Sequence, residues 1–395
     1  MLPAVRVCIL YDCLYPYTVG GAERWYRNLA ERLAADGNDV TYLTLRQWPR
    51  GERPDLGVGV KVVAVGPRMG LYSHGRRRIL PPIVFGLGVL VHLASRRRRY
   101  DVVHTASFPY FSLLAAAALR RRRGYRLFVD WHEVWSRAYW REYLGRAAGT
   151  AGYAVQLLCV RAPQRAFCFS RLHAARLVGE GLRGEPTLLE GEYSGKLETP
   201  AAVAVDPLVV FAGRLIPEKR AELALAAFAI AAARIEGLRA EFYGDGPARD
   251  ALHAAIDARG MSDRVTAAGF VPAEEIDAAL GRAMCMLSTS TREGYGMVVI
   301  EASARATPSI VVAGEDNAAV ELVQDGVNGF VARDDDPQTI AAAISRVHEE
   351  GLALRESTAR WFAENAQRLS LASSLRLVLA SYAAPTTPGA SSARE

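Results

Sequence analysis

Short β-branched and apolar runs alternate along this chain with longer stretches in which apolar residues recur at helical spacing. Residues 6–10, 40–45, 61–65, 101–104, 126–130 and 166–170 read as strands, with a helix over 22–36 after the first and another running to Leu177 after the last. The pattern then restarts. Strands are predicted at 208–211, 239–243, 264–267, 284–288 and 309–312, and helices at 221–233, 248–259, 273–282, 299–305 and 318–323. Strand–helix alternation predicts parallel sheets covered by helices on both faces. Two such series in 395 residues predict two domains, because a single core does not grow to that size. The Gly- and Pro-bearing stretch 190–207 reads as the join, and 385–395, rich in Pro, Thr, Ser and Ala, as a disordered tail.

Half of the residues are hydrophobic and 23% are charged, which fits a folded soluble protein and excludes global disorder. The net charge of +6 is concentrated in arginine runs at 76–78, 96–99 and 120–123. These are either solvated helix ends and loops or a surface for an anionic partner, such as acidic membrane, phosphorylated lipid or nucleic acid. No nucleic-acid-binding motif accompanies them, so no nucleic acid partner is expected. The cysteines at 8, 13, 159, 168 and 285 show no Cys-x-x-Cys pair or zinc spacing, which points to a reducing compartment. The N-terminus lacks a charged segment ahead of a long apolar run, so no secretory signal is expected. The longest uncharged stretch, 79–95, is short for a membrane span and is interrupted by Pro81, Pro82, Gly86 and Gly88; a buried or surface-lying helix is expected there. A cytoplasmic location follows, with peripheral contact at the inner, anionic membrane face left open by the flanking arginines.

Open parallel sheets bind ligands beyond the carboxyl ends of their strands, and the polar residues of this chain fall there. Gly20 and Gly21 follow the first strand and open a helix, which suits either a tight turn or the close approach of a diphosphate or sugar. Gly213-Arg214 follows the strand at 208–211, with Lys219 five residues on. A forked guanidinium and a compact ammonium can neutralise the charge of a departing diphosphate. Only Lys61, Lys196 and Lys219 among 48 basic residues are lysines. Tyr243-Gly244-Asp245-Gly246-Pro247 is a turn by its chemistry. In Arg292-Glu293-Gly294-Tyr295-Gly296-Met297-Val298-Val299-Ile300-Glu301, Glu293 can accept from sugar hydroxyls, the amides of Gly296, Met297 and Val298 can face phosphate, and Glu301 can hold ribose hydroxyls. His104 and His132 stand at or just after two N-terminal strands. Neither His-Glu-x-x-His nor Asp-x-Asp occurs, so no metal site is expected.

In this order the motifs resemble the retaining glycosyltransferase family 4, of the GT-B fold, from about residue 5 to residue 345. The most specific part is Glu293-x7-Glu301, continued to Pro308, followed by Gly213-Arg214 with Lys219. Gly244-Asp245-Gly246-Pro247, Ala268-Gly269-Phe270-Val271-Pro272, the stretch from Glu321 to Phe330 and Gly20-Gly21-Ala22-Glu23-Arg24 also match. The resemblance implies two Rossmann-like domains facing across a cleft: an acceptor domain at 1–195, a linker at 196–206, a nucleotide-sugar domain at 207–367 and a helix at 368–384 crossing back. It implies that Arg214 and Lys219 hold the diphosphate, Glu293 the transferred sugar and Glu301 the ribose, with Gly294, Tyr295, Gly296, Met297 and Val298 completing that loop. Phe270 and Val271 would lie near the base, Gly244 would line its pocket, and Gly20 and Gly21 would close on phosphates or acceptor. His132 matches the histidine near the transferred sugar. Catalytic roles therefore fall to His132, Arg214, Lys219 and Glu293. The expected co-substrate is a nucleoside-diphosphate sugar, with no resident cofactor or metal.

Two departures stand out. The family usually carries glycine where Ala306 stands, and 188–193 reads Leu-Leu-Glu-Gly-Glu-Tyr where Pro-Asn-Gly-Val is common, so no role transfers to that segment. His104, Trp131 and Trp135 fall on the acceptor side; Trp131, Trp135 and Trp140, with Tyr139 and Tyr143, form a sugar or lipid platform there or belong to the core. The expected reaction is sugar transfer with retention to an unidentified glycan, lipid-linked or natural-product acceptor, by front-face attack, since the N-terminal motifs offer no second carboxylate pair. The alternative is a non-catalytic subunit that binds a nucleotide sugar.

Overall fold

The computed structural model describes residues 4–383 apart from 53, 55, 74, 75 and 96–98. The N-terminal domain is built on seven parallel strands: β1 (Arg6–Leu10), β2 (Asp39–Leu45), β3 (Val60–Gly66), β4 (Val102–Ala106), β5 (Arg126–Trp131), β6 (Arg165–Cys168) and β7 (Thr187–Leu188). Their order is β3-β2-β1-β4-β5-β6-β7. β1 sits centrally, with Leu10 opposite Leu43 on one side and Thr105 on the other. Its residues Val7, Cys8, Ile9 and Leu10 are fully buried, as expected of a strand covered on both faces.

Helices α1 (Gly21–Ala35), α2 (Leu80–Ala94), α3 (Tyr110–Arg123), α4 (Arg137–Leu144), α5 (Arg146–Arg161) and α6 (Arg171–Gly179) cover this sheet. Pro81 and Pro82 do not break the apolar stretch; they occupy its first turn, where their missing N–H groups cost nothing. Gly88 is required by packing, since a β-carbon there would lie 1.9 Å from the Val65 carbonyl oxygen of β3. Arg120, Arg121, Arg122 and Arg123 form the last turn of α3, where cations suit the helix dipole, and left-handed Gly124 ends it. Much of that basic run is thereby accounted for by local structure.

The C-terminal domain repeats the plan with β8 (Leu208–Ala212), β9 (Arg239–Tyr243), β10 (Val265–Gly269), β11 (Cys285–Ser288), β12 (Ser309–Val312) and β13 (Gly329–Ala332). The order is β10-β9-β8-β11-β12-β13, all parallel. Helices α7 (Ala221–Ala232), α8 (Arg249–Ala258), α9 (Ala273–Arg282), α10 (Met297–Ser303) and α11 (Pro337–Leu369) pack around it. The helix expected at 318–323 is a 3-10 turn over Ala318–Leu322, since the Asn317 side chain accepts from the Ala319 amide and the turn ends after five residues. Ala306, buried, adopts φ 58°, a left-handed conformation that glycine takes more readily.

The chain passes between the domains twice at one place. Tyr193, on the outward pass, donates its N–H to the Leu369 carbonyl at 3.1 Å and accepts from the Leu371 N–H at 2.8 Å. Beyond that point α12 (Leu371–Ala383) returns to pack on α1, and its Tyr382 is buried in the N-terminal domain.

Candidate functional site

The strand order of the C-terminal sheet reverses between β8 and β11, and the loops leaving these strands converge on one point. Lys219 lies on a single 3-10 turn after β8, and its Nζ forms an ion pair with Oε1 of Glu293 from the loop after β11. The Ser290 hydroxyl donates to the same carboxylate oxygen at 2.7 Å. The two loops are tied together below this pair: Thr289 Oγ1 donates to the Lys219 carbonyl at 2.9 Å, and Arg220 Nε donates to the Thr289 carbonyl at 2.7 Å. Arg214 stands on the same loop, exposed; its carbonyl accepts from the Ile216 N–H at 2.9 Å.

Gly244 sits next to this loop at φ 131°, and a β-carbon there would lie 1.8 Å from the Gly213 carbonyl oxygen. Its N–H donates to the Gly269 carbonyl at 2.8 Å, which brings Phe270, 71% exposed, and half-buried Val271 to the same edge. Left-handed Gly296 opens α10, and Glu301 follows within that helix. Burial raises the Glu301 carboxyl above its usual range; Arg24, on α1 of the other domain, opposes the rise and Asp277 adds to it. Gly20 and Gly21 begin that same α1, and around Gly21 no atom lies within 4 Å of where a β-carbon would stand.

The N-terminal wall of the cleft comes from the loop after β5. His132 stacks on Phe169 with ring centroids 4.3 Å apart, and a β-carbon on Gly294 would lie 2.5 Å from the His132 carbonyl oxygen. The two domains thus meet backbone to backbone at the loop that carries Glu293 and Gly294. Burial lowers the His132 imidazole from its usual value, against Asp130 and Glu133, which pull it up. Burial also works to raise Glu133, but Arg292, whose Nη1 lies 3.3 Å from its Oε2, leads the charges that hold it below the usual range.

Two family models match the chain: "Glycosyltransferase Family 4" over residues 19–187 and "Glycosyl transferases group 1" over residues 199–368. The chain is 30% identical over 338 residues to the lipopolysaccharide core biosynthesis glycosyltransferase LpsE of Rhizobium meliloti (strain 1021), covering 83% of this chain and 85% of that one. The chain belongs to glycosyltransferase family 4. A second relative, the alpha-D-kanosaminyltransferase of Streptomyces kanamyceticus, is 33% identical over 166 residues, so that this family 4 chain spans 42% of itself and 41% of that protein's length. The fold matches that of Anabaena Alr3699/HepE, solved in complex with UDP and glucose, with a TM-score of 0.69 at 19% identity over 96% of this chain and 100% of that one. The two Rossmann-like domains are those of the GT-B architecture.

In this family 4 chain the structure brings Lys219, Glu293, Gly294 and His132 together, with Arg214, Gly213 and Gly244 alongside, and sets Glu301 across from the Gly20–Gly21 end of α1. Tyr295 is largely buried and donates its hydroxyl to the Glu190 carbonyl, so it anchors the loop. Two of the acceptor-side candidates lie in the core, the second of the readings left open for Trp131. His104 is fully buried between the Tyr382 hydroxyl, 2.5 Å from Nδ1, and Asp130, 2.8 Å from Nε2. Trp131 is fully buried too, and its Nε1 donates to Gln164 at 2.9 Å. Each belongs to the β4–β5 core, because alternate residues of a central strand point into the helix layers. Trp135 is no free platform either. The Arg292 guanidinium lies 4.6 Å from its ring centroid and 4.2 Å from that of Tyr139, while Phe108 stacks on it at 6.0 Å and Arg77 caps Phe108 at 5.0 Å.

The arginine run at 76–78 is corrected in part: Arg77 turns inward and pairs with Asp12, itself fully buried at the end of β1. Arg78 is exposed, and 96–98 lies outside the described residues. Sequence reasoning missed Ser290, Glu133, Arg292 and Glu192. Ser290 lies just ahead of the Arg292–Glu301 motif and Arg292 opens it, whereas the other two gain meaning only from the opposite domain.

Proposed function

We propose that this protein transfers a sugar, with retention of anomeric configuration, from a nucleoside-diphosphate sugar to a hydroxylated acceptor held by the N-terminal domain. The observation that carries the reading is the convergence of Arg214, Lys219 and Glu293 at the switch point of the C-terminal sheet, opposite His132. Arg214 and Lys219 hold the diphosphate and take up the charge that grows on it as the anomeric bond breaks. Glu293, fixed by Lys219 and Ser290, accepts from hydroxyls of the transferred ring, and Glu301 from those of the ribose. The sugar nucleotide is a co-substrate, and UDP bound in the Anabaena neighbour supports the nucleotide class.

Front-face attack is supported by the commitments of the cleft's carboxyl groups. Asp130 accepts from Trp25 at 2.7 Å and pairs with His104. Glu133 accepts from Trp135 at 2.7 Å and faces Arg292. Burial lifts Glu192 to about 8, so it is protonated at neutral pH and a poor nucleophile. The acceptor proton then passes to an oxygen of the leaving phosphate. Thermal unfolding with UDP, GDP, ADP and TDP tests the donor site. One of them should raise the melting temperature of the wild type, and not of Lys219→Ala or Glu301→Ala. No shift with any of the four counts against the reading.

The same reading includes contact with an anionic membrane. Among the described residues no helix is long and apolar enough to span a bilayer. Leu80, Leu87 and Val91, 53%, 58% and 73% exposed, instead form one outward stripe of α2, which exposed Ile79 and Arg78 precede in the chain. Co-sedimentation with anionic but not neutral vesicles is expected; equal recovery in both supernatants would dispose of it.

A further inference from the structure

The Lys219–Glu293 pair is tied within its own domain, where the Thr291 N–H donates to the Glu218 carbonyl at 2.9 Å, beside the bonds made by Thr289 and Arg220. These bonds hold the two loops to each other; they do not set the pair against the opposite wall of the cleft. One side chain of that wall reaches both loops. Tyr139 stands in the first turn of α4, which the Ser136 hydroxyl caps by accepting from the Tyr139 N–H at 3.1 Å. Its phenol donates to Oε1 of Glu218, the neighbour of Lys219, at 3.1 Å. Its ring centroid lies 4.2 Å from the guanidinium of Arg292, the neighbour of Glu293. The Arg292 side chain is only 14% exposed, and its Nε and Nη1 are buried without a hydrogen bond. The Trp135 ring at 4.6 Å and the Glu133 carboxylate at 3.3 Å complete its seat. Burial raises the Tyr139 phenol above its usual range, against Arg292, so the hydroxyl keeps its proton and stays a donor to Glu218.

We propose that Tyr139 is a positioning residue for the Lys219–Glu293 pair: through Glu218 and Arg292 it fixes where that pair stands relative to the acceptor-side wall. The inference rests on the donor reading given above, in which the pair holds the diphosphate and the transferred sugar. Tyr139 acts on each member through the next residue in the chain. A guanidinium held against aromatic faces out of water is attracted more strongly than one at an exposed site. That seat is built by one domain and filled by the other, so the pair is fully set only when α4 is docked against it.

Lysine footprinting reads the pair directly, because the other lysines of the chain, Lys61 and Lys196, are exposed and serve as references for partly buried Lys219. Acetylation by acetic anhydride is followed by mass spectrometry. Relative to Lys61 and Lys196, Lys219 should react about 5–30-fold faster in Tyr139→Leu and in Arg292→Met than in the wild type. Tyr139→Phe, which keeps the ring and loses the bond to Glu218, should fall between. Arg292→Met leaves α4 itself unaltered, so a ratio unchanged in that variant overturns the inference whether or not Tyr139→Leu folds. Repeating the wild-type reaction with UDP, GDP, ADP and TDP separates the two readings, since one of them should protect Lys219. Protection by none of the four counts against the donor reading and leaves the variant ratios to decide the positioning.

Discussion

The phenol of Tyr382 meets Nδ1 of His104 at 2.5 Å, which ties the last described helix into the core of the N-terminal domain. His104 in turn reaches Asp130, and Asp130 reaches Trp25 of α1. Every member of this chain is buried. Tyr382→Phe leaves a buried imidazole nitrogen without a partner and is expected to cost about 1–3 kcal/mol. Urea unfolding measures it, and a loss below about 0.5 kcal/mol would show that the contact carries little.

Lys219 and Glu293 should act as a unit on turnover. Lys219→Ala is expected to lower kcat/KM by about 10²–10³, the range for removal of one transition-state charge partner. With the two side chains only 22% and 14% exposed, loss of the ammonium leaves Glu293 with Ser290 alone, so the melting temperature of the apo protein should fall as well. Activity retained within a factor of three would remove Lys219 from the mechanism.

Two glycines separate folding from function. At Gly244, with φ 131° and the Gly213 carbonyl in the way, Gly244→Ala should unfold at clearly lower denaturant, by more than about 1 kcal/mol. At Gly21, with open space around it inside a helix, Gly21→Ala should hold or raise stability by about 0.5–1 kcal/mol. If a substrate closes on Gly21, that same variant should still bind nucleotide or acceptor less well. Full activity in it would place the substrate elsewhere.

Stability should depend on pH through Glu192. Its carboxyl titrates near 8 when folded, raised by burial and then by Asp130, and near 4.3 in an unfolded chain. Between those values the folded protein holds a proton that the unfolded chain has lost. The associated stability is present below the unfolded value and falls as pH rises through about 8. His132 and Asp130 face this group, and both are lowered on folding. Stability from each is complete above its unfolded value, so neither moves between pH 7 and 9. Tyr295, the remaining facing group, is raised well above 10 by burial. The melting temperature of Glu192→Gln, less that of the wild type, should therefore grow from pH 7 to pH 9; a constant difference would contradict the assignment.

Local sequence carried the strands, the two-domain plan and the loops that converge at the C-terminal switch point, because each depends on residues close together in the chain. Gly213-Arg214 announces a strand end, and the spacing from Glu293 to Glu301 spans one loop and one helical turn. What stayed hidden depends on distant partners. Arg77 sits in a run that reads as solvated surface until Asp12, brought over by β1, draws it inward. His104 reads like His132 at a strand end, and only Tyr382 from the far end of the chain decides that it is core. Glu192 carries no motif at all; its meaning comes from burial against His132.

Tyr193 holds the returning chain by two hydrogen bonds at the place where both passes leave one domain for the other. A single connecting strand lets one body swivel freely about its own backbone torsions. Two strands clamped side by side suppress that swivel and leave bending across the pair as the soft direction. A clamp of that kind favours keeping the loops of the C-terminal domain and the His132 wall in register across the cleft. Gly191 keeps the clamp shut: a β-carbon there would stand 2.1 Å from the Ser370 carbonyl oxygen and act as a wedge.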